Sequence, residues 1–301
     1  MRLAEKEERL IGAIEKLGSV IVAYSGGVDS SLVAYYARNL LSGNARVVIA
    51  VSPSLAEDDL IAARAQALKF NWDLTEIKTK EFDQVEYQKN DQMRCYFCKS
   101  ALFEELAEFA GKEGIRRIVY GANLDDSFDY RPGALAARER DICAPLVEAE
   151  LTKVEIRELA RNAGLPSWDR PQNACLSSRV VTGIPVTVET LSRVEAAERY
   201  VRSLGFKVLR VRHHGEKAVV EVGAEEIGRF DEAPNLVQLI RSHLSALGYS
   251  EVTIDPRGYR RGSAVKPGEA VAVGSAVNAV LTIHEDKAAP ASVPPAEEVG
   301  A

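Results

Sequence analysis

Two groups of residues in this 301-residue chain have types and spacings suited to chemistry. The first is Ser25-Gly26-Gly27-Val28-Asp29-Ser30, which joins the apolar run Val20 to Tyr24 to a stretch of helical spacing. Paired glycines permit a tight turn and let backbone N–H groups approach a ligand closely. With a helix starting behind them, those N–H groups form an anion site, and Ser25, Ser30 and Ser31 add hydroxyl donors. The second group is the cysteines: Cys95 and Cys98 as C-x-x-C, Cys143 in "ERDICAPLV", and Cys175 in "NACLSSR". A thiolate is both a nucleophile and a metal ligand. C-x-x-C alone fits a zinc half-site, a redox dithiol or half of an iron–sulfur site. There is no partner C-x-x-C and no suitably spaced His pair among the four histidines. That argues against a closed zinc site of four cysteines, or of two cysteines and two histidines. Cys143 reads as a small apolar residue buried on a short strand.

The elements that must position these groups follow from the hydrophobic pattern. "SVIVAY", "ARVVIAVSPSL", "WDLTEIKT" and "IRRIVYGANLDD" read as strands, the first rich in β-branched residues as a buried parallel strand would be. "SSLVAYYARNLL" and "AEDDLIAARAQALKF" have helical spacing. Alternating strands and helices imply an α/β, doubly wound parallel sheet. Such sheets hold ligands at the carboxyl ends of their strands. That edge would gather Ser25 to Ser30, Val51 and Ser52, and Gly121 to Asp126. Asp29, with Asp125 or Asp126, would suit Mg²⁺, which prefers carboxylate and phosphate oxygens.

Composition sets the outer bounds. A hydrophobic content of 46% and a charged content of 27% are those of an ordinary soluble globular protein, and the length suggests two modest domains. A net charge of −6 gives no general attraction to nucleic acid. No apolar segment is long enough to span a bilayer, so neither a membrane nor a nucleic-acid partner is expected. "MRLAEKEERLIGAIEKLG" reads as an amphipathic helix rather than a signal peptide. A cytoplasmic location is expected, and with it unpaired cysteines.

The glycine turn is neither a Walker loop nor a dinucleotide G-x-G-x-x-G. The order S-G-G-V-D-S resembles the pyrophosphate loop of the PP-loop ATP pyrophosphatases, which split ATP into AMP and pyrophosphate and adenylate an acceptor. In that superfamily the first loop holds phosphates and the end of the second strand contacts adenine. Four further stretches narrow the resemblance: "RCYFCKSALF", "GANLDDSFDYRPGALAARE", "APLVEAELTKVEIRELARNAGLPSWDRP" and "NACLSSR". Together, over about residues 5–263, the chain resembles the LarE-type sulfur transferases.

The resemblance implies a small nucleotide substrate, pyridinium-3,5-biscarboxylic acid mononucleotide. A ring carboxylate would be adenylated and converted to a thiocarboxylate, on the way to the nickel-pincer nucleotide used by lactate racemase. It implies ATP and Mg²⁺ as cofactors and a homo-oligomer, a hexamer. Two sulfur routes belong to the family. In one, the cysteine matching Cys175 gives up its own sulfur. In the other, three cysteines hold a [4Fe–4S] cluster with one open iron, which three thiolates can do. Cys95, Cys98 and Cys175 favour the cluster. A tRNA-thiolating PP-loop enzyme is the rival among enzymes, and a non-catalytic ATP-binding module the rival of another class.

After "TGIPVT" the pattern changes. "VETLSRVEAAERYVRSLG" reads as a helix stopped at Gly205, "FKVLRVRHHGEKAVVEVG" as a hairpin, then helical segments and a last strand, "YSEVTIDP". The expected domains are 1–182, a smaller α+β unit at 183–285, and a tail at 286–301 whose Ala, Pro and Glu content lacks a core. Pro267 to His284 could add a strand. Period two puts Arg210 and Arg212 on one face of their strand, and "DPRGYRRGS" adds Arg257, Arg260 and Arg261. Arginine forks suit phosphate and carboxylate. By resemblance, Ser178, Arg179, Arg210, Arg212 and Arg260 are expected at the substrate, with Glu198 as a base or polar contact.

Overall fold

In the computed structural model, which describes residues 2–128, 132–171 and 174–260, residues Met1–Ala264 form one compact unit. Expectations for Asp129 to Arg131, Gln172, Asn173, Arg261 and everything beyond lie outside the described residues. The helices in chain order are α1 (Leu3–Glu15), α2 (Val28–Leu41), α3 (Glu57–Lys69), α4 (Val85–Gln88), α5 (Arg94–Glu113), α6 (Pro132–Arg138), α7 (Pro145–Glu148), α8 (Lys153–Asn162), α9 (Val188–Ser203), α10 (Arg229–Glu232) and α11 (Asn235–Ala246). The strands are β1 (Val20–Tyr24), β2 (Ala45–Val51), β3 (Leu74–Lys78), β4 (Arg117–Tyr120), β5 (Leu209–His214), β6 (Lys217–Val222) and β7 (Glu251–Ile254).

The first four strands form a parallel sheet in the order β3-β2-β1-β4. The central strand β1 is apolar on both faces because helices cover both: Val20, Ile21 and Val22 have no solvent exposure. Val20 and Val22 pack with α1, α2, α7 and α8, while Ile21 packs with α5 and α6. The amphipathic helix expected at the N-terminus is α1, which buries Leu10 and Ile14. Cys143 lies in a single parallel bridge to Val119, exchanging hydrogen bonds with Ile118 and Tyr120. Half-buried against the main core, it extends the sheet at the β4 edge.

The second sheet has the order β5-β6-β7, with an antiparallel hairpin and a parallel third strand. Gly215 turns the hairpin at φ +78° and Gly205 ends α9 at φ +89°, both in the left-handed region that glycine tolerates. The segment after Cys175 is tied to this sheet, with Val181 N donating to His213 O (3.1 Å), and to the segment before α5, with Gly183 N donating to Asn90 O (3.0 Å). Among the described residues no helix is long and apolar enough to cross a membrane.

His213 makes this sheet pH-sensitive. It is 5% exposed and its Nδ1 lies 3.1 Å from Tyr249 Oη. Burial first, then Arg193 and His214, push the imidazole down from 6.5 to about 4. The folded protein thus keeps His213 neutral where the unfolded chain would protonate it. Its contribution to stability is complete above pH 6.5 and is lost as pH falls towards 4. With partial solvent screening this is worth roughly 1–2 kcal/mol. His213→Gln should flatten that part of the profile, measured as the difference in denaturant midpoint between wild type and variant at pH 7 and pH 4.5.

Candidate active site

The glycine turn stands at the carboxyl end of β1. Gly26 takes φ +75°, and a Cβ there would meet Ala63 Cβ at 3.0 Å, so α3 presses against the turn. Gly27 caps α2, and its carbonyl accepts from Ser30 Oγ (3.1 Å) and Ser31 Oγ (2.8 Å). Ser25 N donates to Ser30 Oγ (3.1 Å), and the two hydroxyls lie 3.0 Å apart. The serines therefore brace the loop from within, taking up the N–H groups of Ser25 and Gly27, and the positive end of the α2 dipole falls at the loop, where it favours an anion. Val28, at the first position of α2, is buried.

Around the loop is a cleft of about 290 Å³, lined by Ser25 to Asp29, Ser54, Asp59, Lys153, Arg170 and Cys175 among others. Gly121, at the end of β4, runs against the loop: a Cβ there would lie 2.5 Å from Ser30 N. Val51 ends β2 and packs on the main core. Ser52 Oγ lies 2.8 Å from Ser54 Oγ, so Ser52 supports the wall rather than forming it.

Asp29 is paired with Lys153 Nζ. Its other oxygen, Oδ1, is buried without a hydrogen-bond partner. Burial raises the Asp29 carboxyl, and the Lys153 charge opposes that rise. An orphaned carboxylate oxygen beside a phosphate loop fits Mg²⁺, which uses one or two carboxylates and completes its shell with phosphates and water. Asp125 and Asp126 are otherwise engaged: Asp125 Oδ2 accepts from Lys153 N (2.8 Å) and Asp126 Oδ2 from Asn123 N (3.2 Å). Asp125 fastens the loop after β4 to the start of α8, and Asp126 closes that loop on itself.

Cys95 and Cys98 stand within the first turn of α5, not ahead of it, and their spacing puts both on one helix face. Cys95 and Cys175 are exposed. Cys98 is half-buried, packed against the cluster of Tyr87, Leu176 and Val180. Burial, then Cys175, push the Cys98 thiol up to about 12, with Cys95 and Glu81 adding smaller pushes. The Cys98 thiol thus feels the charge of both other thiols. Three thiols are the right donor type for an open [4Fe–4S] site. Among the described residues, however, no three Cys, His, Asp or Glu side chains stand close enough to make a ready-formed metal cage.

Beside the cleft is a second cavity of about 520 Å³, which shares Ala56, Asp59, Arg170 and Pro171 with it. Its walls are lined with charge. The acidic first turn of α3 is bridged to arginines: Glu57–Arg199 (2.6 Å), Asp58–Arg202 (3.1 Å) and Asp59–Arg170 (2.8 Å). Arg210 faces this cavity, over the Tyr259 ring at 5.0 Å. Burial and the neighbouring Arg179 charge lower its pKa.

The other arginines expected at the substrate stand differently. Arg179 is 1% exposed. Its guanidinium forks onto Glu198 (Nε–Oε1 3.0 Å, Nη2–Oε2 3.2 Å). It also donates to the carbonyls of Ala174 and Cys175 (the latter 3.0 Å) and to Ser178 Oγ (3.2 Å). This pair holds the Cys175 loop on α9, and Glu198 additionally accepts from Val211 N (3.1 Å). Arg212 is buried against Glu221 (2.9 Å) and donates to Ser178 O (3.0 Å). Arg260 pairs with Asp255 (3.1 Å), as does Arg257. Of the set, Arg210 and Glu198 line the cavity, while Arg179 and Arg212 are committed to holding the backbone. Arg179→Met should destabilise the protein by about 3–5 kcal/mol, because Glu198 is left buried without its counter-charge; Arg179→Lys should recover part of that loss in the same denaturant titration.

Sequence reading passed over Lys153, Asp59 and Arg170. Lys153 carried a usable signal. It occupies the first position of α8, where the helix dipole disfavours a cation, so its placement answers to Asp29 rather than to the helix.

A parallel sheet, a glycine turn braced by serines and a carboxylate at the first turn of α2 define a PP-loop nucleotide-binding protein. The NAD synthase family model matches residues 6–106. The chain is 33% identical over 265 residues to pyridinium-3,5-bisthiocarboxylic acid mononucleotide synthase of Lactiplantibacillus plantarum, covering 86% of this chain and 94% of that one. It is 41% identical over 260 residues to an uncharacterised Synechocystis protein, covering 86% and 97%. It is 29% identical over 243 residues to an uncharacterised Methanocaldococcus jannaschii protein, covering 80% and 90%. The chain belongs to the LarE-type ATP-dependent sulfur transferases of the PP-loop superfamily.

Proposed function

We propose that this protein adenylates a carboxylate of pyridinium-3,5-biscarboxylic acid mononucleotide and replaces one of its oxygens with sulfur. The observation that carries the reading is that Cys175 and the Ser25 to Asp29 loop line the same cleft, with a cavity lined by charges of both signs beside it. ATP lies with its phosphates on the loop N–H groups. Asp29 is the residue that would hold Mg²⁺, which would neutralise phosphate charge when bound, and Lys153 beside it supplies a second positive charge to the cleft. The substrate occupies the neighbouring cavity, where Arg210 meets an anionic group of the mononucleotide.

A carboxylate is a poor acyl donor because oxide is a poor leaving group. A substrate carboxylate oxygen attacks the α-phosphorus, the bond to the β-phosphate oxygen breaks, and pyrophosphate departs with the electron pair. The acyl carbon now carries AMP. A sulfur nucleophile attacks that carbon, the C–O bond breaks, and AMP leaves. Cys95, Cys98 and Cys175 form the sulfur-delivery site. They are the residues that would hold a [4Fe–4S] cluster, and a cluster bound there would supply an exchangeable sulfide. Residues 1–182 supply the nucleotide chemistry, and the α+β unit that follows supplies substrate contacts and the surface for self-association. This last assignment follows the family's homo-oligomeric habit.

Anaerobic turnover with ATP and the mononucleotide tests the reading. Substrate-dependent release of AMP and pyrophosphate is expected, with a product heavier by the exchange of oxygen for sulfur. Failure to split ATP between its α and β phosphorus atoms overturns it. The mass of the protein afterwards distinguishes the sulfur source: loss of H₂S from Cys175 identifies that cysteine as the donor, whereas an unchanged mass assigns delivery to sulfide held by the three thiols.

A further inference from the structure

One buried polar cluster has no part in the chemistry above. Asn90 is 1% exposed and takes φ +55°, a left-handed backbone that asparagine tolerates better than most residues. Its Nδ2 donates to three carbonyls: Ile184 (2.8 Å), Val181 (3.0 Å) and Val180 (3.3 Å). Its own carbonyl accepts from Gly183 N (3.0 Å), and its Oδ1 accepts from Arg94 Nη1. The same Arg94 nitrogen donates to Ser177 O (2.8 Å). Tyr87 Oη lies 2.7 Å from Ser177 Oγ, and Val186 N donates to Gln88 O (2.9 Å).

Apart from the Arg94–Asn90 bond, which braces the first of them, these bonds join the same two segments. One, from Tyr87 to Arg94, leads directly into the helix turn carrying Cys95 and Cys98. The other, from Ser177 to Val186, follows Cys175. We propose that Asn90 and Arg94 are positioning residues that clasp the Cys95–Cys98 turn to the Cys175 loop and so keep three thiols from two distant parts of the chain within reach of one another. The proposal rests on the reading of these cysteines as the sulfur-delivery site.

The physical argument has three parts. Three main-chain carbonyls converge on one buried amide; Val181 O also accepts from Ile184 N (3.0 Å), but the carbonyls of Val180 and Ile184 lose their amide donor if it is removed. Arg94 stands at the first position of α5, against the helix dipole, so its placement serves something other than the helix. Its guanidinium also interacts with Cys95 and Cys175, which places it between the two segments it joins.

The test reads thiol proximity and needs neither ATP nor substrate. The reduced, full-length apoprotein is treated with the bifunctional thiol reagent dibromobimane, and bridged peptides are mapped by mass spectrometry. Wild type should bridge Cys175 to Cys95 or Cys98. Asn90→Gly keeps the left-handed backbone and deletes the amide; Arg94→Met deletes both guanidinium bonds. Each should slow bridging at least ~10-fold by depopulating the joined arrangement, with ATP affinity within about 2-fold of wild type. Arg94→Lys, which keeps a donor for Ser177 O, should recover part of the rate. If Asn90→Gly does not fold, the two Arg94 variants carry the comparison. Bridging at the wild-type rate in folded variants, or none in wild type, overturns the proposal. Loss of bridging alongside a chain that never splits ATP would leave the clasp standing and sink the functional reading instead.

Discussion

Cys175→Ser is expected to abolish thiocarboxylate formation, by at least ~10³-fold, while ATP binding survives. A serine hydroxyl can neither carry sulfur nor ionise as a thiol does, so the step after adenylation loses its nucleophile or its ligand. The loop itself should keep its place, because Arg179 holds it through the carbonyls of Ala174 and Cys175 and not through the thiol. Pyrophosphate release measured beside product mass separates the two steps: continued ATP cleavage without sulfur in the product is the expected pattern. A variant that makes thiocarboxylate at the wild-type rate would place sulfur delivery elsewhere.

Gly121→Ala is expected to cost both stability and nucleotide affinity. The added methyl would lie 2.5 Å from Ser30 N and 2.9 Å from Asp29 C. These are main-chain atoms in the first turn of α2, so no side chain can swing aside. Either β4 or the phosphate loop must shift. Overpacking of this kind costs about 1–3 kcal/mol and sometimes more, and a shift of the loop N–H groups should weaken ATP binding at least ~10-fold. Gly111→Ala is the control: it lies inside α5 with nothing within 4 Å of its Cβ position, and alanine there should stabilise by roughly 0.5–1 kcal/mol. Thermal unfolding and calorimetric ATP titration of both variants give the comparison, and a Gly121→Ala protein with wild-type affinity would show that the contact relaxes freely.

The α/β architecture was legible because its signals are local and repeated. An apolar run, a glycine turn and a helical period recur in order, and both-face burial explains why β1 shows no alternation. The phosphate loop was legible for the same reason: turn, hydroxyls and carboxylate fall within six consecutive residues. The hairpin at Gly215 was readable from the alternation on either side of its turn, and the stop at Gly205 from the glycine itself. Asp59, Lys153 and Arg170 were not, since each gains its meaning from a partner far along the chain.

The arginines expected at the substrate show the limit most clearly. Period two correctly put Arg210 and Arg212 on one strand face, yet that spacing could not tell which would meet a buried carboxylate. Arg212 found Glu221 across the hairpin, and Arg179 found Glu198 on α9, while Arg210 faces a cavity. Residue type and local order determined that this chain would build a serine-braced glycine turn on a parallel sheet and carry cysteines at 95, 98 and 175. Only tertiary structure decided which charges are consumed in holding the backbone and which face a cavity, because an ion pair depends on the distance between side chains, and folding sets that distance for residues that sequence order keeps far apart.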